Sequence, residues 1–318
     1  MLTVIKCASC VIDDLQGALV TTVPEPETRL SILREAMTWM GGAFDTCCIP
    51  SYYITRVHRL LKERSGQEMP FSELRQRCNE IGVAIRELLS DRLSSMDRDE
   101  ERLHFLVLWA IAGNHLDFRT VGTGYDLATD DIAQQLRAIV DEGLCIDHTA
   151  ALLSRAKSRP RTLYLADNVG EIALDTLLVR ELVRHGCAVT VAVKGGPITS
   201  DAVMADAHYV GMHEIAPVIL TGPDTLGLPL DEMSSAVRQE LALAEMVISK
   251  GQANYYACSE LAGQLQANIF CLLRTKCSVA ASSLGVNSPR VNVAALLGNA
   301  PSDRRTTASE QARGRAQY

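Results

Sequence analysis

The stretch LYLADNVGEIALD, Leu163 to Asp175, decides how the rest of the chain is read. Leu163, Tyr164, Leu165 and Ala166 form a short apolar run suited to a buried strand, and Leu174, Leu177, Leu178 and Leu182 recur at the three- and four-residue steps of an amphipathic helix. Asp167 and Asn168 therefore fall at a strand's carboxyl end, just ahead of a helix. In open α/β sheets ligands bind along that edge, and the helix N-terminus that follows carries partial positive charge. A carboxylate beside an amide at such a place suits a bound cation. The same two residues suit a helix N-cap, where Asp and Asn side chains are preferred acceptors; taken alone, the two readings are evenly matched.

Working outward, short apolar runs at Ala188 to Val193, Ile215 to Leu220, Met246 to Ile248 and Ile269 to Leu273 alternate with helical stretches, which predicts an α/β fold with a mainly parallel sheet. Upstream the period is helical, with apolar residues spaced for helices over Leu30 to Met40, Tyr53 to Leu61, Phe71 to Leu89 and Leu103 to Ile111. A further helix over Asp130 to Val140 is expected to start at the cluster Thr129-Asp130-Asp131. The period changes at Ala156-Lys157-Ser158-Arg159-Pro160-Arg161, so the expected organisation is a helical domain over 1–157 and an α/β domain over 158–300. The polar, arginine-bearing stretch 301–318 has no periodicity and is expected to be a disordered tail.

A chain of 318 residues with 47% hydrophobic content can fill the cores of two such domains. Its net charge of -7 argues against a nucleic-acid partner, whose backbone calls for a basic footprint, but a small anionic substrate needs only a local positive site. Ten cysteines at irregular spacing read as reduced thiols rather than a disulfide framework. The opening MLTVIKCASCVIDDLQ is broken by Lys6, Asp13 and Asp14 and does not read as a signal peptide, and no apolar run has membrane-spanning length. The expectation is a cytoplasmic protein without a membrane partner.

Each expected strand ends in polar or glycine-bearing sequence. After Asp167-Asn168 come Lys194-Gly195-Gly196-Pro197 with Asp201, then Thr221-Gly222, then Ser249-Lys250-Gly251 with Asn254, then Arg274-Thr275-Lys276. Parallel strands bring such ends to one edge, which favours a shared site over a set of unrelated caps and surface lysines. Two carboxylates and an amide oxygen are hard ligands suited to Mg²⁺ or Mn²⁺, and lysines with glycine N–H groups can neutralise phosphoryl oxygens. The chemistry that uses such a set is attack of metal-activated water on a phosphate ester. No G-x-G-x-x-G or Walker loop is present, and Val169 stands where a phospho-aspartate enzyme would place a second carboxylate. Ala112-Gly113-Asn114-His115-Leu116-Asp117-Phe118 reads first as a helix C-cap, with Asn114 and Asp117 reaching towards the sheet edge as the functional alternative. Cys7 and Cys10 form one C-x-x-C, too few ligands for a zinc site unless Cys47 and Cys48 complete it.

These motifs together resemble the metal-dependent damage-control phosphatases, once catalogued as domain-of-unknown-function family 89, in their short prokaryotic-type branch. The likeness spans about residues 5–298 and includes Cys7-x-x-Cys10, Met69-Pro70-Phe71, Gly113-Asn114-His115-Leu116-Asp117, Asp167-Asn168-Val169-Gly170-Glu171, Val193-Lys194-Gly195-Gly196-Pro197-Ile198, Ser249-Lys250-Gly251-Gln252-Ala253-Asn254 and Arg274-Thr275-Lys276-Cys277. The resemblance implies a Rossmann-like α/β/α domain beside an N-terminal all-helical domain. It implies Asp167, Asn168 and Asp201 as ligands of Mn²⁺, Mg²⁺, Co²⁺ or Ni²⁺, and Lys276 as a phosphate contact. Asn114 and Asp117 face the cleft in that scheme. Beside what the resemblance implies, the strand-end positions of Lys194, Lys250 and Asn254 make them expected substrate contacts, and proximity makes Glu171 or Asp117 the expected proton carrier. The expected reaction is hydrolysis of small phosphate monoesters such as sugar phosphates. Two alternatives stand beside it: an S-adenosylmethionine-dependent carboxyl methyltransferase, for which the glycine-rich loop is missing, and a non-catalytic metabolite-binding protein. Val169, Ser200 and Ala253 depart from the family pattern, and the last two bear on substrate choice.

Overall fold

The structure is a computed structural model that describes residues 1–120, 124–125, 132–228 and 230–298. The expected helix start at Thr129-Asp130-Asp131 and the segment 301–318 lie outside the described residues. Helices α1 (Cys7–Thr22), α2 (Pro26–Ala43), α3 (Pro50–Ser65), α4 (Ser72–Ser94) and α5 (Asp99–Ala112) come first, and α5 runs on into a 3₁₀ turn, Gly113–Leu116. A two-residue antiparallel pair, β1 (Arg119–Thr120) and β2 (Gly124–Tyr125), precedes α6 (Ile132–Asp141), β3 (Ile146–Asp147) and α7 (Thr149–Lys157). The alternating part then follows: β4 (Arg161–Leu165), α8 (Glu171–Arg184), β5 (Ala188–Val193), α9 (Met204–Tyr209), β6 (Val218–Leu220), α10 (Ser235–Leu243), β7 (Met246–Lys250), α11 (Gly251–Leu261), β8 (Asn268–Arg274), α12 (Ser278–Ser283) and β9 (Asn292–Leu297).

Seven strands form one sheet in the order β3-β9-β8-β7-β4-β5-β6, parallel throughout except between β8 and β9. The chain moves from β4 outward through β5 to β6 and then crosses back to β7 on the other side, so the switch point lies between β4 and β7. That crevice is where this architecture binds ligands. β4 is buried from Thr162 onward, and its residues alternate between layers: Tyr164 joins the apolar cluster on one face, and Leu163 and Leu165 join the cluster on the other.

Helix α8 carries buried side chains on nearly all sides, because the sheet lies beneath it and α4 and α5 cover it. The approach of α4 is close enough that a Cβ on Gly82 would collide with the carbonyl oxygen of Gly170. Gly170 itself has φ of 71°, and a Cβ there would sit 2.6 Å from the Cys78 carbonyl oxygen. One apolar cluster therefore runs from Val11 in α1 through Phe71 and Ile85 to Leu174 and Leu178.

Two features depart from the sequence reading. The strand expected at Ile215 begins only at Val218, since the Ile215 amide closes a 3₁₀ turn onto the Met212 carbonyl. β3 and β9 extend the sheet beyond the expected five strands, and β3 and α7 fall before the expected boundary at 157 yet pack on β9. β3 has two residues, too few for a period-two pattern to register, and β9 contains Ala294 and Ala295, which carry little strand propensity. Among the described residues no helix is long and apolar enough to cross a membrane.

Candidate active site

Asp167 and Asn168 leave the end of β4 and do not cap α8, whose N-cap position is Gly170 without a side-chain hydrogen bond. Their backbone instead pairs with the loop after β5. The Val169 amide donates to the Ser200 carbonyl at 2.8 Å, the Ala202 amide donates to the Asp167 carbonyl at 2.8 Å, and Asn168 and Asp201 form an isolated antiparallel bridge. Two loops are thereby zipped together, which brings Asp201 beside Asp167. From β7, Gly251 closes the third side with φ of 72°, and a Cβ there would overlap the Asp167 carboxylate. Only glycine fits this position, since L-residues avoid that backbone region and the carboxylate fills the space.

These residues face a cavity of about 140 Å³ lined also by Asp117, Arg119, Gln252, Tyr256, Lys276 and the thiols of Cys7, Cys10 and Cys277. Asp117 is the hub of its polar wall. Its carboxylate accepts from Ser200 Oγ at 2.5 Å, from the Arg119 amide at 2.9 Å and from Lys276 Nζ. Ser200 Oγ also lies 2.9 Å from Asn168 Oδ1, an acceptor that its single proton can serve only in place of Asp117. Arg119 Nε is bound to Asp14, a buried carboxylate whose other oxygen meets His58 Nε2 at 2.8 Å. Burial opposes ionisation of Asp14, but the charges of Arg119 and His58 hold its pKa well below the usual carboxylate range.

The remaining expected residues form a layer behind the cavity. Asn114 Nδ2 donates to Asp167 Oδ2 and Glu171 Oε2, both at 3.2 Å, and Asn168 Nδ2 donates to the same two oxygens at 2.9 Å. Glu171 is almost wholly buried and accepts from Lys250 Nζ at 2.7 Å, so it fixes the two amides rather than facing the cavity. Lys250 is also buried, and it donates to the Ala110 carbonyl at 2.9 Å and to Asp175. Burial works against its charge, but Asp175 and Glu171 hold its pKa above the ordinary lysine value. Lys194 lies 3.4 Å from Asp201 Oδ2 and donates to the Gly227 carbonyl at 2.9 Å and to Asn254 Oδ1 at 3.2 Å. Of the three lysines, Lys276 alone lines the cavity. Although burial opposes it, the carboxylates of Asp117 and Asp167 raise the Lys276 pKa.

The cavity's floor is short of positive charge. Burial, followed by the charges of Glu171 and Asp201, pushes the Asp167 pKa well above the usual range, and burial also raises Asp201 despite Lys194. Asp201 Oδ2 is buried without a hydrogen-bond partner. Hard oxygen donors with this deficit fit a divalent cation. A second group of possible ligands, Asp99, Glu181 and His185, lies elsewhere, but Arg102, Arg184 and Lys157 already pair with its carboxylates. It reads as an ion-pair network. Sequence reasoning passed over Arg119 and Gln252; the Asp117-x-Arg119 spacing, which lets a carboxylate bond the amide two residues on, was the available signal for the arginine.

An α/β sheet with a polar, acid-lined cavity at its switch point and a helical layer over it has a solved counterpart. It resembles the crystal structure of a DUF89 family protein, PH1575 of Pyrococcus horikoshii, with a TM-score of 0.82 over 93% of this chain and 99% of that chain, at 24% identity. At that identity the likeness concerns the fold. The model of the damage-control phosphatase ARMT1-like domain matches residues 3–290, and the chain belongs to that family. It is 30% identical over 284 residues to the uncharacterised protein MJ0202 of Methanocaldococcus jannaschii, covering 89% of this chain and 91% of that protein. It is also 30% identical over 282 residues to a protein of Archaeoglobus fulgidus named damage-control phosphatase, covering 88% of this chain and 94% of that one.

Proposed function

We propose that the protein is a phosphatase that hydrolyses small phosphate monoesters, sugar phosphates or related phosphorylated metabolites, with a divalent cation held by Asp167, Asn168 and Asp201. The observation that carries this reading is the convergence of those three oxygen donors with Lys276 and Arg119 on one cavity, in a chain whose relatives include two named damage-control phosphatases. Asp201 Oδ2, which has a 3.4 Å ion pair to Lys194 but no hydrogen bond, and the raised Asp167 pKa support the cation, which would be Mn²⁺, Mg²⁺, Co²⁺ or Ni²⁺. When bound, such an ion supplies Lewis-acid charge to the phosphoryl group and eases deprotonation of water.

The chain's own residues do the rest. Lys276 and Arg119 bring positive charge to the remaining phosphoryl oxygens, where charge stabilisation in a water-poor cavity is worth most. Asp14 and His58 hold Arg119 from behind, and Asp117 orients Lys276. Glu171, Asn114 and Lys250 fix the rotamers of Asp167 and Asn168. Water forms a bond to phosphorus as the bond to the alcohol oxygen breaks, and in this reading the Asp117 carboxylate takes the water's proton and passes it on to the departing alcohol oxygen. A cytoplasmic setting accompanies this reading, since all ten cysteines are free thiols. No observation favours the methyltransferase alternative, because Gly170 is the single glycine of the β4–α8 turn.

The test is phosphate release from a broad panel of phosphate esters by protein stripped of metal and resupplied with each ion in turn. Release with at least one ion, and its loss in Asp167→Ala, is expected. Silence with every ion, or full activity in the variant, would sink the reading.

A further inference from the structure

The Cys7-x-x-Cys10 pair takes no part in the chemistry above, and Cys47 and Cys48, the alternative completion of a metal or redox site, lie elsewhere. Those two thiols line a separate cavity of about 540 Å³ with Ser51, Tyr52 and Leu230. The third thiol beside Cys7 and Cys10 is Cys277, which comes from the loop after β8, directly beyond Lys276. All three line the active-site cavity.

Cys10 and Cys277 are partly exposed, whereas Cys7 is buried. Cys10 and Cys277 therefore share the cavity wall, and burial, then the neighbouring Cys277 and Cys7 sulfurs, raise the Cys10 pKa. The Cys277 sulfur accepts from the Ala280 amide at 3.5 Å and from Gln252 Nε2 at 3.8 Å. Gln252 in turn accepts from the Lys276 amide at 2.8 Å and donates to the Tyr256 hydroxyl at 2.5 Å. The sulfur thus sits in the bonding network that positions the lysine. Among the described residues the three thiols are not part of any group close enough to share a metal ion. What Cys10 and Cys277 have in common is partial exposure on the wall of one cavity.

We propose that Cys10 and Cys277 are an oxidation-sensitive dithiol on the wall of the active-site cavity, which closes to a disulfide and stops phosphate hydrolysis. The second half of this statement rests on the phosphatase reading; the first does not. With a hydroperoxide as oxidant, the Cys277 thiolate attacks the peroxide oxygen and gives a sulfenic acid as the peroxide bond breaks. The Cys10 thiol then attacks that sulfur and water leaves. In the hydrogen peroxide case two thiols and one peroxide become one disulfide and two waters, with two electrons passing from sulfur to oxygen. The bond joins α1 to the loop that carries Lys276 and draws the Cys277 sulfur away from Ala280 and Gln252. The lysine then loses the support of Gln252.

The experiment treats the full chain with hydrogen peroxide, maps its peptides by mass spectrometry without reduction, and follows phosphate release in the metal found active. The expected result is a cross-linked peptide pair holding Cys10 and Cys277, lighter by two hydrogens. Activity should fall at least tenfold and return with dithiothreitol. Cys10→Ser and Cys277→Ser should each lack the cross-link, and the double variant Cys47→Ser, Cys48→Ser should keep both the cross-link and the loss of activity. Absence of a Cys10–Cys277 peptide, or its formation with phosphate release unchanged, overturns the proposal. So does a thiolate-bound zinc in the purified protein that shields the pair. If the reduced protein is inactive in every metal, the phosphatase reading fails by itself, and the peptide map still decides the dithiol.

Discussion

Position 251 holds a hydrogen where any other residue would carry a Cβ, and that hydrogen borders the Asp167 carboxylate at a φ of 72°. Gly251→Ala should displace Asp167 and reduce kcat/KM at least tenfold, about 1.4 kcal/mol of transition-state stabilisation, which a phosphate-release assay with Mn²⁺ titration would read. Unchanged kinetics would show that the carboxylate is not needed where it stands. Asp14 offers a pH test. Its folded pKa is depressed, so the stability it contributes is fully present above the unfolded carboxylate value near about 4 and is lost as pH falls towards the folded value. The gap in urea-unfolding free energy between the native protein and Asp14→Asn should therefore narrow as pH is lowered from about 5 to about 2. A gap that stays constant would count against the Arg119 and His58 contacts. At this scale Asp167, Asn168, Asp201 and Lys276 were legible because each follows a strand, so their convergence could be read from position. For Arg119 the Asp117-x-Arg119 spacing marked only the backbone bond; the place of its side chain depends on Asp14 and His58, which arrive from distant helices. Lys194 and Lys250 were legible as strand-end lysines, but not their burial against carboxylates, which depends on Asp201, Glu171 and Asp175 folding around them.

The elements that carry the site are held by contacts that tolerate little change. α4 reaches α8 through Gly82, whose missing side chain lets the helix touch the Gly170 carbonyl. Gly82→Ala should cost roughly 1–3 kcal/mol, the usual range for overpacking, seen as a lower midpoint in thermal unfolding. Removing the buried cation by Lys250→Met leaves the Glu171 and Asp175 carboxylates without a counter-charge and should cost about 3–5 kcal/mol in chemical denaturation. Adding Asp175→Asn to that variant should recover part of the loss; if it does not, the ion pairs carry less than their geometry implies. The pattern of apolar runs showed β4, β5, β7 and β8 because each is long enough, and buried enough on both faces, to exceed helical noise. β3 and β9 escaped because one is very short and the other rich in alanine, and their pairing is decided by β8 offering an open edge.

Across the whole molecule, the apolar cluster that starts in α1 continues without a break into α8 and the sheet. The helical layer and the sheet should therefore unfold together, giving one transition in denaturant whether followed by far-ultraviolet or near-ultraviolet circular dichroism. Two separated transitions would instead mark independent folding units on either side of residue 157. The composition of the chain allowed for two domains, but could not show whether they would share a core, since Val11 and Leu178 join one cluster only through the tertiary arrangement. The direction of β9 has a practical bearing on how the protein can be handled. β9 runs against β8, so Leu297 lies beside Ile269 at the start of that strand, whereas the cavity lies past its end at Lys276. Gly298 thus lies at the opposite rim of the sheet, about 20 Å of strand away from the chemistry. A surface tether or fluorescent fusion attached there should leave the mouth of the cavity open to substrate.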